Sequence, residues 1–121
     1  MRVLFYYRGS EHIGVESIMA YLKSKGHLVD LIYEPALGDN GYIDIPFLNK
    51  FFYNDKLVID KAIRFKPDLI AFSAITNLYM PIKKLARKFK KVLPKVPIIC
   101  GGIHPTSLPD ETIKEDCFDM I

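Results

Sequence analysis

Short apolar runs rich in β-formers alternate with stretches of helical period along the chain, and no hairpin signal joins any two of them. A strand can follow its neighbour in the same direction only through a long crossover, so this alternation specifies parallel strands connected by helices. Val3-Leu4-Phe5-Tyr6-Tyr7 reads as a buried strand. Val15, Ile18, Met19 and Leu22 then fall on one face of a helix, which Lys25-Gly26 closes. A second strand spans 28–33. Residues 35–53 lose the pattern: Gly38, Asp39, Asn40 and Gly41 are breakers, and Phe47, Phe51 and Phe52 are packing anchors in an irregular excursion with room for one short helix.

Regularity returns with a helix over 55–65, stopped by Lys66-Pro67, and a third strand over 68–73. Pro81 suits the first turn of the next helix, whose apolar stripe is Ile82, Leu85, Ala86 and Phe89. Ile98-Ile99-Cys100 is a fourth strand, Pro109 opens a short helix with Asp110 and Glu111 in its first turn, and 117–121 begins a fifth strand. The fold expected is an α/β flavodoxin-like (Rossmann-type) three-layer sandwich on a five-stranded parallel sheet, order 2-1-3-4-5. With 121 residues, half of them hydrophobic, 1–121 is one domain. Because the fifth strand starts where the sequence stops, the expectation is an N-terminal fragment of a longer protein.

Composition removes several function classes. No apolar run approaches the roughly 20 residues of a membrane span, so no membrane partner is expected. Two cysteines, Cys100 and Cys117, make no disulfide framework, which points to a reducing, cytoplasmic setting. The net charge of +3 is unevenly laid out: residues 1–78 are neutral overall, 79–95 hold seven Lys or Arg and no acid, and 96–121 hold one Lys and five acids. A basic helix over 82–91 could serve an interaction or nucleic-acid module. No aromatic side chain interleaves on its charged face to stack bases, which argues against nucleic acid.

In open α/β sheets ligands bind beyond the carboxyl ends of the strands. Three polar, glycine-containing loops should meet there, contributing Gly9, Ser10, Glu11, His12, Ile13 and Gly14 from the first, Ser73, Ala74, Ile75, Thr76 and Asn77 from the second, and Gly101, Gly102, Ile103, His104, Pro105 and Thr106 from the third. The usual occupants fail on the residues that would hold them. Gly9 and Gly14 alone do not make G-x-G-x-x-G, and Val15 and Glu16 stand where a P-loop needs Lys and Ser or Thr. Ser73 replaces the aspartate of a phosphoreceiver, and the first loop has one Ser where a flavodoxin needs several hydroxyls. Gly101-Gly102 is a simple strand-to-helix turn or a place for a ligand to lie on bare backbone, and Ser73 is a satisfied hydroxyl or a ligand contact. Their joint placement on adjacent loops favours a bulky ligand. No nucleophile–base pair or carboxylate dyad occurs on these loops, so the chain itself should bind and not catalyse.

These residues resemble the cobalamin-binding domain at the amino end of cobalamin-dependent radical-SAM enzymes. The resemblance runs through Arg2-Val3-Leu4-Phe5, His12-Ile13-Gly14, Met19-Ala20-Tyr21-Leu22, Lys25-Gly26-His27, Lys66-Pro67-Asp68-Leu69-Ile70-Ala71-Phe72-Ser73 and Pro97-Ile98-Ile99-Cys100-Gly101-Gly102-Ile103-His104-Pro105-Thr106, and is weakest over 35–55. It implies cobalamin as cofactor, with Ser73-Ala74-Ile75 beside its nucleotide tail, Gly101-Gly102 packed on it and His104 in the pocket wall. It also implies a C-terminal radical-SAM domain carrying the iron–sulfur cluster, S-adenosylmethionine and the methyl transfer or radical rearrangement. This chain lacks the Cys-x-x-x-Cys-x-x-Cys triad such a cluster needs. His12 is the candidate lower ligand of the metal, cobalt. The loop departs from the wider Asp-x-His-x-x-Gly pattern: Ser10 stands in the Asp position and Gly14 comes one residue early. A ligating imidazole without its carboxylate partner is poorly oriented, which favours a loop histidine beside the corrin. A flavin or nucleotide on the same fold is the alternative occupant.

Overall fold

The computed structural model describes residues 1–9, 13–35 and 54–121. Strand β1 (Arg2–Gly9) leads into helix α1 (Ile13–Ser24) and strand β2 (Leu28–Pro35); helix α2 (Asp55–Phe65) and strand β3 (Leu69–Ser73) follow. A 3-10 turn (Thr76–Leu78) then enters helix α3 (Tyr79–Val92), strand β4 (Ile98–Gly101) and two short helices, α4 (Ile103–Ser107) and α5 (Pro109–Thr112). The 35–53 excursion, with Phe47, Phe51 and Phe52, lies largely outside the described residues, as do Ser10, Glu11 and His12.

Local chemistry sets the helix ends. The Asn54 side chain accepts hydrogen bonds from the Lys56 and Leu57 N–H groups and caps α2. At the other end Pro67 disfavours the helical region for Lys66, which turns to φ 52° and stops the helix. Pro81 sits in the first turn of α3, where its missing N–H costs nothing.

The sheet is parallel throughout, in the order β2-β1-β3-β4. Among the described residues it has four strands, not the five expected. The segment at 117–121 adds a parallel bridge between Met120 and Ile99 on the free side of β4, made by the Met120 N–H to the Ile98 carbonyl and the Cys100 N–H to the Met120 carbonyl. Alternation along the strands divides the interior into two unequal cores. Leu4, Tyr6, Ile70, Phe72 and Ile98 face α2 and α3, where Phe89 and Ile82 are completely buried. Val3, Phe5, Tyr7, Val29 and Ala71 face α1 through Val15 and Met19. Truncating Phe89 to Ala would cost about 3–5 kcal/mol on ordinary core-deletion costs.

Part of the split charge pattern is an internal pairing. Lys83 reaches Glu115 at 2.8 Å, Arg87 bonds both Glu115 (3.0 Å) and Asp116 (2.9 Å), Lys90 meets Asp119 at 2.5 Å, and Lys88 pairs with Asp55. The exposed pairs among these each add about 0–1 kcal/mol, and those of Arg87 and Lys90, together with the half-buried Lys83–Glu115 pair, hold residues 115–119 against α3. Asp119 also accepts the Ile98 N–H at 2.7 Å.

Arg87 holds the Asp116 carboxyl below its ordinary range. Partial burial works against Asp119, yet Lys90 and the Ile98 N–H hold its carboxyl low as well. A depressed folded-state pKa adds stability that is complete above the unfolded value of about 4 and is lost as pH falls through the folded value. The thermal midpoint of the chain is therefore expected to fall as pH drops below about 4, and Asp119→Asn should flatten that fall; a melting series between acidic and neutral pH reads both.

Candidate functional site

The described ends of the three expected loops lie at the carboxyl edge of the sheet, with different boundaries, and Ser10, Glu11 and His12 fall outside the described residues. Gly9 ends β1, its φ of 127° turning the chain out of the sheet, and its carbonyl accepts the Tyr33 hydroxyl at 2.8 Å. Ile13 and Gly14 are already the first residues of α1, and Ile13 is exposed. Gly101 is the last residue of β4, and residues 103–107 form a helical turn rather than an open loop. Pro105 is tolerated there for the same reason as Pro81, being the third residue of its turn.

A close backbone approach joins the second and third loops. Ala74 donates its N–H to the Gly101 carbonyl at 2.8 Å and accepts the His104 N–H at 3.1 Å. Gly102 lies between those bonds at φ 105°, and a Cβ placed there would stand 2.6 Å from the Ala74 oxygen and 2.8 Å from its nitrogen. Only glycine fits this conformation and this gap. Thr106 turns back on the same residue, its hydroxyl donating to the Gly102 carbonyl at 2.8 Å.

This junction sorts the candidate residues onto two sides. His104 is buried, its ring stacked on Tyr79 at 3.7 Å between centroids with Nδ1 3.4 Å from the Thr76 hydroxyl. Ile75 packs against the larger core, and Asn77 is exposed in the 3-10 turn. On the other side of the sheet a groove of about 400 Å³ runs beside α1, and Gly14, Ser73, Gly101 and Gly102 line it. Period-two alternation places Ser73 beyond Leu69 and Ala71, and Gly101 beyond Ile99, on the face that bounds this groove.

The rest of the lining was read from the sequence only as core: Val3 and Phe5 of β1, Leu69, Ala71 and Phe72 of β3, Ile99 of β4, and Val15, Ile18 and Leu22 of α1. Ile18 lies in the apolar stripe of its helix yet is 54 % exposed, because α1 covers only part of this face. Alternation shows which residues share a face, but no local signal shows that the face is left open. Gly101 differs from Gly102 here. A Cβ on Gly101 would meet only the Phe72 carbonyl oxygen, at 3.8 Å, and would otherwise enter the groove.

The two cysteines are unreactive thiols. Burial pushes the Cys100 thiol up to about 12 and the Cys117 thiol up to about 11, which keeps both protonated. Among the described residues no three His, Cys, Asp or Glu side chains gather as a metal site, and no helix is long and apolar enough to cross a membrane.

Residues 7–121 match the family model described as the B12 binding domain. The anaerobic magnesium-protoporphyrin IX monomethyl ester cyclase of Rubrivivax gelatinosus is 27 % identical over 126 aligned residues, which take in 95 % of this chain and 20 % of the cyclase. The chain thus spans about a fifth of that curated relative. A crystal structure of a cobalamin-binding protein from Desulfitobacterium hafniense DCB-2 superposes with a TM-score of 0.65 at 14 % identity, over 98 % of this chain and 52 % of that one. At that identity the likeness speaks to the fold.

Proposed function

Because the chain belongs to the B12 binding domain family, we propose that it holds cobalamin with the nucleotide tail in the groove beside α1, and that a downstream radical-SAM domain carries the chemistry. The observation that carries this reading is the bare α-carbon of Gly101 at the mouth of an apolar groove, a cradle that one larger side chain would fill. The groove residues fit a flat, largely apolar group laid along the sheet. Ser73 supplies a hydroxyl at its carboxyl end, and Gly14 opens the α1 side.

When bound, cobalamin supplies methyl transfer or radical rearrangement. The chain's own residues bind and orient it, and the junction of Ala74, Gly102 and His104 fixes the wall against which it lies. The iron–sulfur cluster and S-adenosylmethionine belong to the proposed downstream domain. Support for that domain comes from the resemblance of the loops and from a relative, an anaerobic cyclase, about five times the matched length. The basic helix is the weaker basis for a function, since four of its cations are engaged by Asp55, Glu115, Asp116 and Asp119.

The test is retention of hydroxocobalamin through gel filtration, read from the corrin absorbance bands. Wild-type chain is expected to keep them, and loss of all corrin overturns the reading. Gly101→Val should abolish retention while changing stability by less than about 1 kcal/mol, since its side chain enters the groove and not the fold.

Gly102→Ala is expected to act differently, destabilising the chain by about 1–3 kcal/mol through strain at φ 105° and contact with Ala74; urea unfolding measures it.

His12 carries the separate question of cobalt ligation. With Ser10 in place of the orienting carboxylate, His12→Ala should leave the bound corrin spectrum unchanged. A shift to the spectrum of a corrin lacking a nitrogen lower ligand would assign His12 to the metal.

A further inference from the structure

We infer that the groove beside α1 selects among corrinoids by the polarity of the lower base, accepting a benzimidazole-type base and disfavouring a purine; this rests on the cobalamin reading above. The groove floor is built from Val3, Phe5, Leu69, Ala71 and Ile99, and its α1 wall from Val15, Ile18 and Leu22. None of these side chains donates or accepts a hydrogen bond. The backbone of the floor offers little more, because β1 pairs on both sides with β2 and β3, and β3 with β1 and β4. The outer side of β4 is also engaged, the Ile98 carbonyl by Asp119 and Met120 and the Cys100 N–H by the Met120 carbonyl. Among the described residues that line the groove, Ser73 is the one that carries a hydroxyl, at the carboxyl end.

A benzimidazole with methyl substituents presents an edge of carbon and hydrogen, whereas adenine presents an exocyclic amine and ring nitrogens that water satisfies. The two bases are close in size, so a groove of about 400 Å³ does not separate them by volume. It separates them by what happens to polar atoms: those on adenine lose water and find no partner, while the methylated edge gains burial. Apolar pockets reject an added polar group by roughly ten- to a hundredfold, and the open side of this groove favours the lower end of that range.

The experiment measures equilibrium binding of three probes to the full chain by corrin absorbance: cobalamin, its analogue with adenine as lower base, and cobinamide, which lacks the nucleotide. Cobalamin is expected to bind most tightly, with the adenine analogue about tenfold weaker and cobinamide also weaker than cobalamin. Equal affinity for cobalamin and the adenine analogue overturns this inference and leaves the cobalamin reading standing. Failure of all three to bind overturns both. Leu22→Asn, a same-sized change at a half-buried position on α1, puts an amide into the groove and should narrow the preference severalfold. An unchanged preference in a folded variant, checked by circular dichroism, overturns the assignment to this groove.

Discussion

The placement of β1 between β2 and β3 is the constraint from which the rest of the structure follows. A strand with parallel partners on both sides spends its backbone groups on the ladder and must bury side chains on two faces. Val3-Leu4-Phe5-Tyr6-Tyr7 meets that demand with apolar or aromatic residues at every position, all of them buried. Each partner can be reached only by a crossover, so helices fall on the faces. The described helices do not fall evenly: α2 and α3 close one face, while α1 alone serves the other. The groove is the part of that second face that the described residues leave uncovered.

Much of this arrangement is legible from single residues because each acts through local physics. Lys66-Pro67 stops α2 because the residue before a proline is pushed out of the helical region. The stripe of Ile82, Leu85, Ala86 and Phe89 predicts the buried face of α3, and all four are buried. The register of the loops is harder to read. Ile103-His104-Pro105-Thr106 has the composition of a turn, yet it coils into a helical turn because Ala74, distant in sequence, anchors it. The fifth strand is present only as the Met120–Ile99 bridge: Cys117 and Phe118 are buried in the larger core, and the Asp119 carboxylate takes the Ile98 N–H and Lys90. Both outcomes turn on non-local contacts that hydrophobic period cannot report.

Gly101 and Gly102 show how far a motif can be resolved from sequence. As a pair they suggest backbone left bare for a ligand. In the structure they divide the work, Gly102 accommodating the Ala74 backbone and Gly101 facing the groove. The first is a condition for the two loops to meet at all, and the second decides what the resulting wall can accept. His104 belongs with the first: stacked on Tyr79 and donating its N–H to Ala74, it holds the junction from the side away from the groove.

The charge distribution supports the same division between holding and binding. Seven cations in 79–95 and five acids in 96–121 look like opposed functional surfaces when read along the chain. In three dimensions they face each other, with Lys83, Arg87 and Lys90 gripping Glu115, Asp116 and Asp119 on the flank of α3. That grip also positions Met120 at β4, one strand beyond the groove floor. The ion pairs of Lys83, Arg87 and Lys90 therefore keep the carboxyl-terminal segment against the larger core. Among the described residues, the open face is left with carbon surface, a serine hydroxyl and the bare α-carbon of Gly101, the features on which the cobalamin proposal rests.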